Sequence, residues 1–257
     1  FFFSMNGEEG QQLAQIEKSF SCSTDNIKSI SDILTTLTAD MSRDQPCYVE
    51  VSNSELNFIV SGKAKSLQAR LALNRLMFED FECDAESIKF AINLTALLDC
   101  LRIFGSSDST TATMSFSTAD ELLNISLEES GVVTTCEINS LYTDDFNDLD
   151  QQSLFIAFRN NQEECQLILK SEPLREVIQE LTDLFWTGIV KISVSNNPAA
   201  IKFLTGGQIG ASEIIIPRTS EAFVSFQCRG NISFEYSLRS LMFGMKALSV
   251  SIAVIFP

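Results

Sequence analysis

Apolar residues recur at helical spacing in four places along this chain, and the four fall into two pairs of nearly equal separation. The first stretch covers residues 26–39, with Ile27, Ile30, Ile33, Leu34 and Leu37 on one face; the second covers 93–105, with Leu94, Leu97, Leu98 and Leu101. Their starts, Asn26 and Asn93, are 67 residues apart. The third opens at Ser171 and continues through Leu174, Val177, Ile178 and Leu181, and a weaker fourth covers 237–248, so these starts are 66 residues apart. A repeat of that length predicts two like halves rather than one continuous core.

Local signals support the four helices. Asp25 or Asn26 is placed to cap the first, and Gly105 to close the second in the left-handed conformation. Pro173 sits in the first turn of the third, where a missing N–H costs nothing. Between the helices lie alternating or β-rich runs at 47–60, 66–78, 86–92, 111–116, 122–127 and 132–139, then at 166–170, 189–194, 201–205, 212–216 and 223–226. Groups of several strands between helices do not give the regular alternation of a parallel sheet, so the expected class is α+β with antiparallel sheets. Residues 142–150 are polar and acidic with isolated aromatics and read as an exposed connector. The expected organisation is an N-terminal extension over 1–18, a first domain over 19–141, a connector over 142–152 and a second domain over 153–257.

Composition removes many functions. With no histidine, imidazole bases, catalytic triads and the common histidine-containing zinc sites are unavailable. Against 34 acidic residues stand 18 basic ones, a net charge of −16 that repels phosphate unless the cations are gathered on one face. A hydrophobic content of 45% speaks against a disordered chain, and no apolar run reaches the roughly 18 residues of a membrane span. The opening Phe1-Phe2-Phe3-Ser4-Met5 lacks the basic leader of a secretory signal, so the Asn-x-Ser/Thr matches at Asn93, Asn124 and Asn231 imply no glycosylation. Seven scattered cysteines, none in a Cys-x-x-Cys pair, read as buried thiols in a reducing compartment. The run Asp144, Asp145, Asp148, Asp150 lacks the glycine and terminal glutamate of a calcium loop and reads as solvated connector. Gly206-Gly207-Gln208-Ile209-Gly210 opens no helix and reads as a hairpin turn, and Trp186 and the 20 phenylalanines read as packing rather than base-stacking platforms.

Two helices per half, a strand-rich remainder and an acidic connector resemble the sliding-clamp architecture of proliferating cell nuclear antigen. Residues 92–101, Ile-Asn-Leu-Thr-Ala-Leu-Leu-Asp-Cys-Leu, continued by Ile103-Phe104-Gly105-Ser106-Ser107, are similar to the Rad-one (Rec-one) family, a subunit of the nine-one-one checkpoint clamp. So are residues 127–139, Leu-Glu-Glu-Ser-Gly-Val-Val-Thr-Thr-Cys-Glu-Ile-Asn, with further matches at Asp25-Asn26-Ile27-Lys28, Ser171-Glu172-Pro173-Leu174-Arg175-Glu176 and Lys246-Ala247-Leu248. The resemblance covers residues 20–253. Two departures stand out: the last strand of the family fold is missing before Pro257, and the first 18 residues have no clear counterpart.

The resemblance implies a clamp fold whose four helices line a DNA hole, with antiparallel sheets outside. It implies a non-catalytic nuclear subunit without a cofactor, partnered by Rad-nine-like and Hus-one-like subunits and set on double-stranded DNA by a clamp loader. There it would tether checkpoint-kinase activators and repair enzymes. The DNA-facing candidates are Arg239 and Lys246, seven apart on one helix face, with Arg102, Lys28 and Arg175. Asp99 one turn before Arg102, and Glu176, Glu180 and Asp183 on the third helix, lower the local charge. Three copies of such a chain would make a poor DNA ring, which favours unlike, more basic partners. Tyr142, Phe146 and Leu149 on the connector are candidates for a partner-peptide groove. Two alternatives stay open: a metal-dependent exonuclease using clustered carboxylates, and a replicative homotrimeric clamp.

Overall fold

The computed structural model describes residues 19–38, 45–62, 67–105, 109–142, 165–184, 188–207 and 210–256. The first half runs β1 (Phe20–Thr24), α1 (Ile27–Thr35), β2 (Pro46–Ser52), β3 (Glu55–Ser61), β4 (Gln68–Asn74), β5 (Asp80–Cys83), β6 (Ser87–Asn93), α2 (Leu94–Leu101), β7 (Thr111–Ser117), β8 (Leu122–Glu129) and β9 (Val132–Asn139). The second runs β10 (Cys165–Lys170), α3 (Ser171–Leu184), β11 (Ile189–Asn196), β12 (Ala199–Gly206), β13 (Ala211–Pro217), β14 (Phe223–Cys228), β15 (Ile232–Ser237), α4 (Leu238–Val250) and β16 (Ala253–Phe256). The N-terminal stretch 1–18, most of the acidic connector and Trp186 lie outside the described residues.

The repeat expected from helix spacing extends to sheet topology. The first half holds sheets of order β5-β1-β7-β8-β9 and β4-β3-β2-β6; the second holds β14-β10-β16 and β13-β12-β11-β15. Element for element the orders match, with β8 and β9 lacking a counterpart among the described residues. Every pairing is antiparallel, as the α+β reading requires. Each half has its own apolar core, one drawn from residues between Phe20 and Ile138, the other from residues between Cys165 and Leu248.

The halves differ at one matching position. In the first half Phe90 of β6 is buried and stacked on Phe116 of β7, with ring centroids 3.8 Å apart and planes within 6°. Phe234 holds the equivalent place on β15, opposite Ile192 as Phe90 is opposite Val49, yet it is 58% exposed.

Local chemistry explains the element ends. Asn93 caps α2, its side-chain oxygen accepting the N–H of Thr95 at 2.9 Å and of Ala96 at 3.1 Å. Gly105, past the end of α2, has φ +78°, as expected. At α1 the outcome differs: Asn26 occupies the cap position but its side chain makes no capping bond, and its own N–H is taken by Thr24 Oγ1 at 3.1 Å. The β8–β9 hairpin turns on Ser130 and Gly131, with φ of 52° and 81°, and closes on the Glu129–Val132 pair. Positive φ at both positions of a two-residue loop is the turn whose twist suits a hairpin.

Three expectations are corrected. The run 47–60 is two strands, because Ser52 Oγ takes the N–H groups of Ser54 and Glu55 and turns the chain, and the buried apolar positions shift from Cys47, Val49 and Val51 to Leu56, Phe58 and Val60. The run 66–78 ends as a strand at Asn74 and passes into a short 3-10 turn, Arg75–Met77. Strands β1, β5, β15 and β16 were not separately expected.

Candidate nucleic-acid interface

Four amphipathic helices bury their apolar faces on the sheets and touch one another in the row α2, α1, α4, α3. α1 buries Ile27, Ile30 and Leu34, α2 buries Leu94, Leu97, Leu98 and Leu101, and α3 buries Leu174, Val177, Ile178 and Leu181. α4 buries only Leu238 and Leu248. The remaining helix surface carries the predicted cations.

Arg239 is exposed in the first turn of α4, and α4 contains no acidic residue. Lys246, two turns on, is exposed, and its Nζ donates to the Thr38 carbonyl at 2.8 Å and to Thr38 Oγ1 at 2.9 Å. Arg102 caps the end of α2; its Nε donates to Ser31 Oγ at 2.9 Å and its Nη2 to Thr35 Oγ1. Lys28 and Arg175 are half-buried on α1 and α3. Tyr142 is 93% exposed, whereas Phe146 and Leu149 lie outside the described residues.

The helix row has no basic excess. Lys28, Arg102, Arg175, Arg239 and Lys246 stand against Asp32, Asp99, Glu172, Glu176, Glu180 and Asp183. Other cations pair on the sheets: Lys89 with Glu50 at 3.2 Å, Arg70 with Glu55 at 3.6 Å, and Lys202 with Glu213 at 3.7 Å.

The hydroxyl partners of Arg102 and Lys246 were missed from the sequence. Their spacing was a signal: Ser31, Thr35 and Thr38 are four and three residues apart, one stripe of a helical face.

No group of three or more metal-ligating side chains occurs among the described residues, and the acidic run 144–150 lies outside them. A cavity in the first core is lined by Phe20, Val49, Phe58, Phe90, Met114 and other apolar side chains, which offer no polar group to orient a substrate.

All seven cysteines are free, but only Cys22, Cys47 and Cys165 are buried, which corrects the reading of uniformly buried thiols. Burial pushes the Cys22 and Cys47 thiols up to about 12 from 9.0. An unfolded chain would lose these protons first, so the stability they contribute is fully present below pH ~9 and drains as pH rises towards ~12. Native protein treated with iodoacetamide at pH ~8 is therefore expected to label half-buried Cys83 well before Cys22 or Cys47. Equal labelling by mass spectrometry would contradict this.

Two like halves of antiparallel sheet carrying one row of four helices define a sliding-clamp fold, of the class typified by proliferating cell nuclear antigen. Residues 19–256 match the family described as Repair protein Rad1/Rec1/Rad17, and the chain belongs to that family. Human cell cycle checkpoint protein RAD1 is 30% identical over 250 residues, spanning 95% of this chain and 84% of the human protein. The Mus musculus protein of the same name is 31% identical over 254 residues, 97% of this chain and 84% of its own length. None of the described helices is long and apolar enough to cross a membrane.

Proposed function

We propose that the chain is a non-catalytic subunit of a heterotrimeric checkpoint clamp that encircles double-stranded DNA in the nucleus and tethers checkpoint-kinase activators and repair enzymes. Its two domains are residues 19–141 and 153–257, joined by the connector 142–152. The observation that carries the reading is the single row of four helices across both halves, whose five cations against six carboxylates favour unlike, more basic partners.

Encirclement holds DNA by topology, so a lumen needs only weak phosphate contacts and no base readout. Arg239, Lys246, Arg102, Lys28 and Arg175 lie along the DNA-facing surface. Three identical copies would place six carboxylates per subunit in the hole, so the phosphate contacts come chiefly from more basic Rad-nine-like and Hus-one-like partners. Once the ring is closed, tethering raises the effective concentration of bound enzymes without new chemistry.

A head-to-tail ring needs two different edges on each subunit. β9 is an eight-residue sheet edge with Val132 and Val133 57% and 59% exposed, and β13, the edge of a sheet in the other half, exposes Ile215. Long edges with exposed apolar side chains are templates for strand pairing. Mass measurement of the purified chain is expected to give a monomer, and co-expression with the two partner subunits a three-chain complex that a clamp loader places on DNA. A self-trimer loaded on DNA would refute this reading.

A further inference from the structure

α1 has nine residues, too few to be stable alone, and no basic side chain in its last turn to meet the carbonyls exposed there. Two neighbours supply what it lacks. From α2, Arg102 reaches Ser31 Oγ and Thr35 Oγ1; from α4, in the other half and 208 residues away, Lys246 reaches the Thr38 carbonyl and hydroxyl. The hydroxyls are oriented to receive these donors because their own protons point back along α1. Thr35 Oγ1 donates to the Ser31 carbonyl at 2.6 Å and Thr38 Oγ1 to the Thr35 carbonyl at 2.7 Å, leaving lone pairs for the cations. Both positive charges also lie towards the negative end of the α1 dipole.

We infer that Lys246 and Arg102 act as staples that bind α4 and α2 to the hydroxyls Ser31, Thr35 and Thr38 on α1 and the turn after it, and that Lys246 in this way joins the two halves rather than gripping phosphate. This rests on the reading of the row as DNA-facing only in its second consequence: Lys246 is not a phosphate contact of this subunit. It follows that two of the five candidate DNA contacts serve the shape of the wall.

The test uses the full chain, first alone and then in the three-chain complex. In the free chain, Lys246→Met is expected to speed amide exchange at Thr36, Leu37 and Thr38 about threefold to tenfold, although the substitution lies in the other half. Thr38→Val removes one acceptor without touching a charge and is expected to act in the same direction, more weakly. It also keeps the test open if Lys246→Met fails to fold. The double variant is expected to exchange no faster than Lys246→Met alone. Unchanged exchange in both single variants would overturn the proposal.

On DNA, each lost phosphate contact lowers the slope of log retention against log salt by about 0.9. Lys246→Met in the complex is expected to leave that slope unchanged, while Arg239→Met provides the comparison. A slope lowered by about 0.9 for Lys246→Met, with or without faster exchange, would return Lys246 to the phosphate contacts. A complex that never retains DNA would sink the clamp reading but leave the exchange result standing.

Discussion

Replacing Phe203 by alanine is expected to destabilise the second half by about 3–5 kcal/mol. The side chain is fully buried on β12, an interior strand, between its register partners Ile192 on β11 and Ile214 on β13. Close-packed neighbours on both sides leave little room for collapse, so the lost transfer energy and the void add. A domain of this size is stable by roughly 0.05–0.15 kcal/mol per residue, so the loss takes a large share of the total. The expected fall in Tm is roughly 12 °C or more, at about 4–8 °C per kcal/mol. Because the cores are separate, the first half should keep its own transition. Val224→Ala, 61% exposed on β14, is expected to change stability by no more than about 0.5 kcal/mol. Calorimetry on both variants checks the pair, and a drop below about 1 kcal/mol for Phe203→Ala would mean that the site closes around the gap.

Much of this fold was legible because its halves repeat. The helical periods at Asn26, Asn93, Ser171 and Ser237 gave all four helices and the twofold organisation. The Glu-Glu-Ser-Gly-Val-Val string, which carries part of the family resemblance, has a direct physical meaning in the β8–β9 turn. What stayed hidden did so for local reasons. β5 is four residues with two carboxylates and one buried side chain, Phe81, too little to register as a strand. β1 buries Phe20, Cys22 and Thr24 within a largely polar string. β2 and β3 merged because a serine hydroxyl, not glycine or proline, makes their turn.

The candidate surface was legible in the identity of its cations but not in their company. A pattern of seven residues could place Arg239 and Lys246 on one face, yet no local period relates Lys246 to Thr38 or Arg102 to Ser31, 208 and 71 residues apart. The net charge of −16 first argued against DNA altogether. Resolved by element, it separates an α4 free of carboxylates from an α3 that carries four, and that contrast is the physical argument for unlike partners.

The edge β9 carries the second large expected effect. Placing lysine at both Val132 and Val133 leaves the fold of the isolated chain intact, because these side chains are more than half exposed and the hairpin turn at Ser130 and Gly131 is untouched. Strand pairing between subunits would bury both positions, and each valine fully buried contributes about 1.5–3 kcal/mol. Two lysines forfeit that burial and add desolvation and, against a basic partner, repulsion; charged residues on an edge are how natural sheets prevent such pairing. The combined loss is expected to exceed about 2.8 kcal/mol, which weakens assembly by more than about 100-fold. Sedimentation of the chain with each partner in turn should then show loss of the pair formed through β9 and survival of the pair formed through β13, while calorimetry of the isolated chain keeps the wild-type Tm. If both pairs persist with both lysines in place, β9 is not a ring contact, and β4, with Leu71 half-buried at the edge of its sheet, is the next to alter.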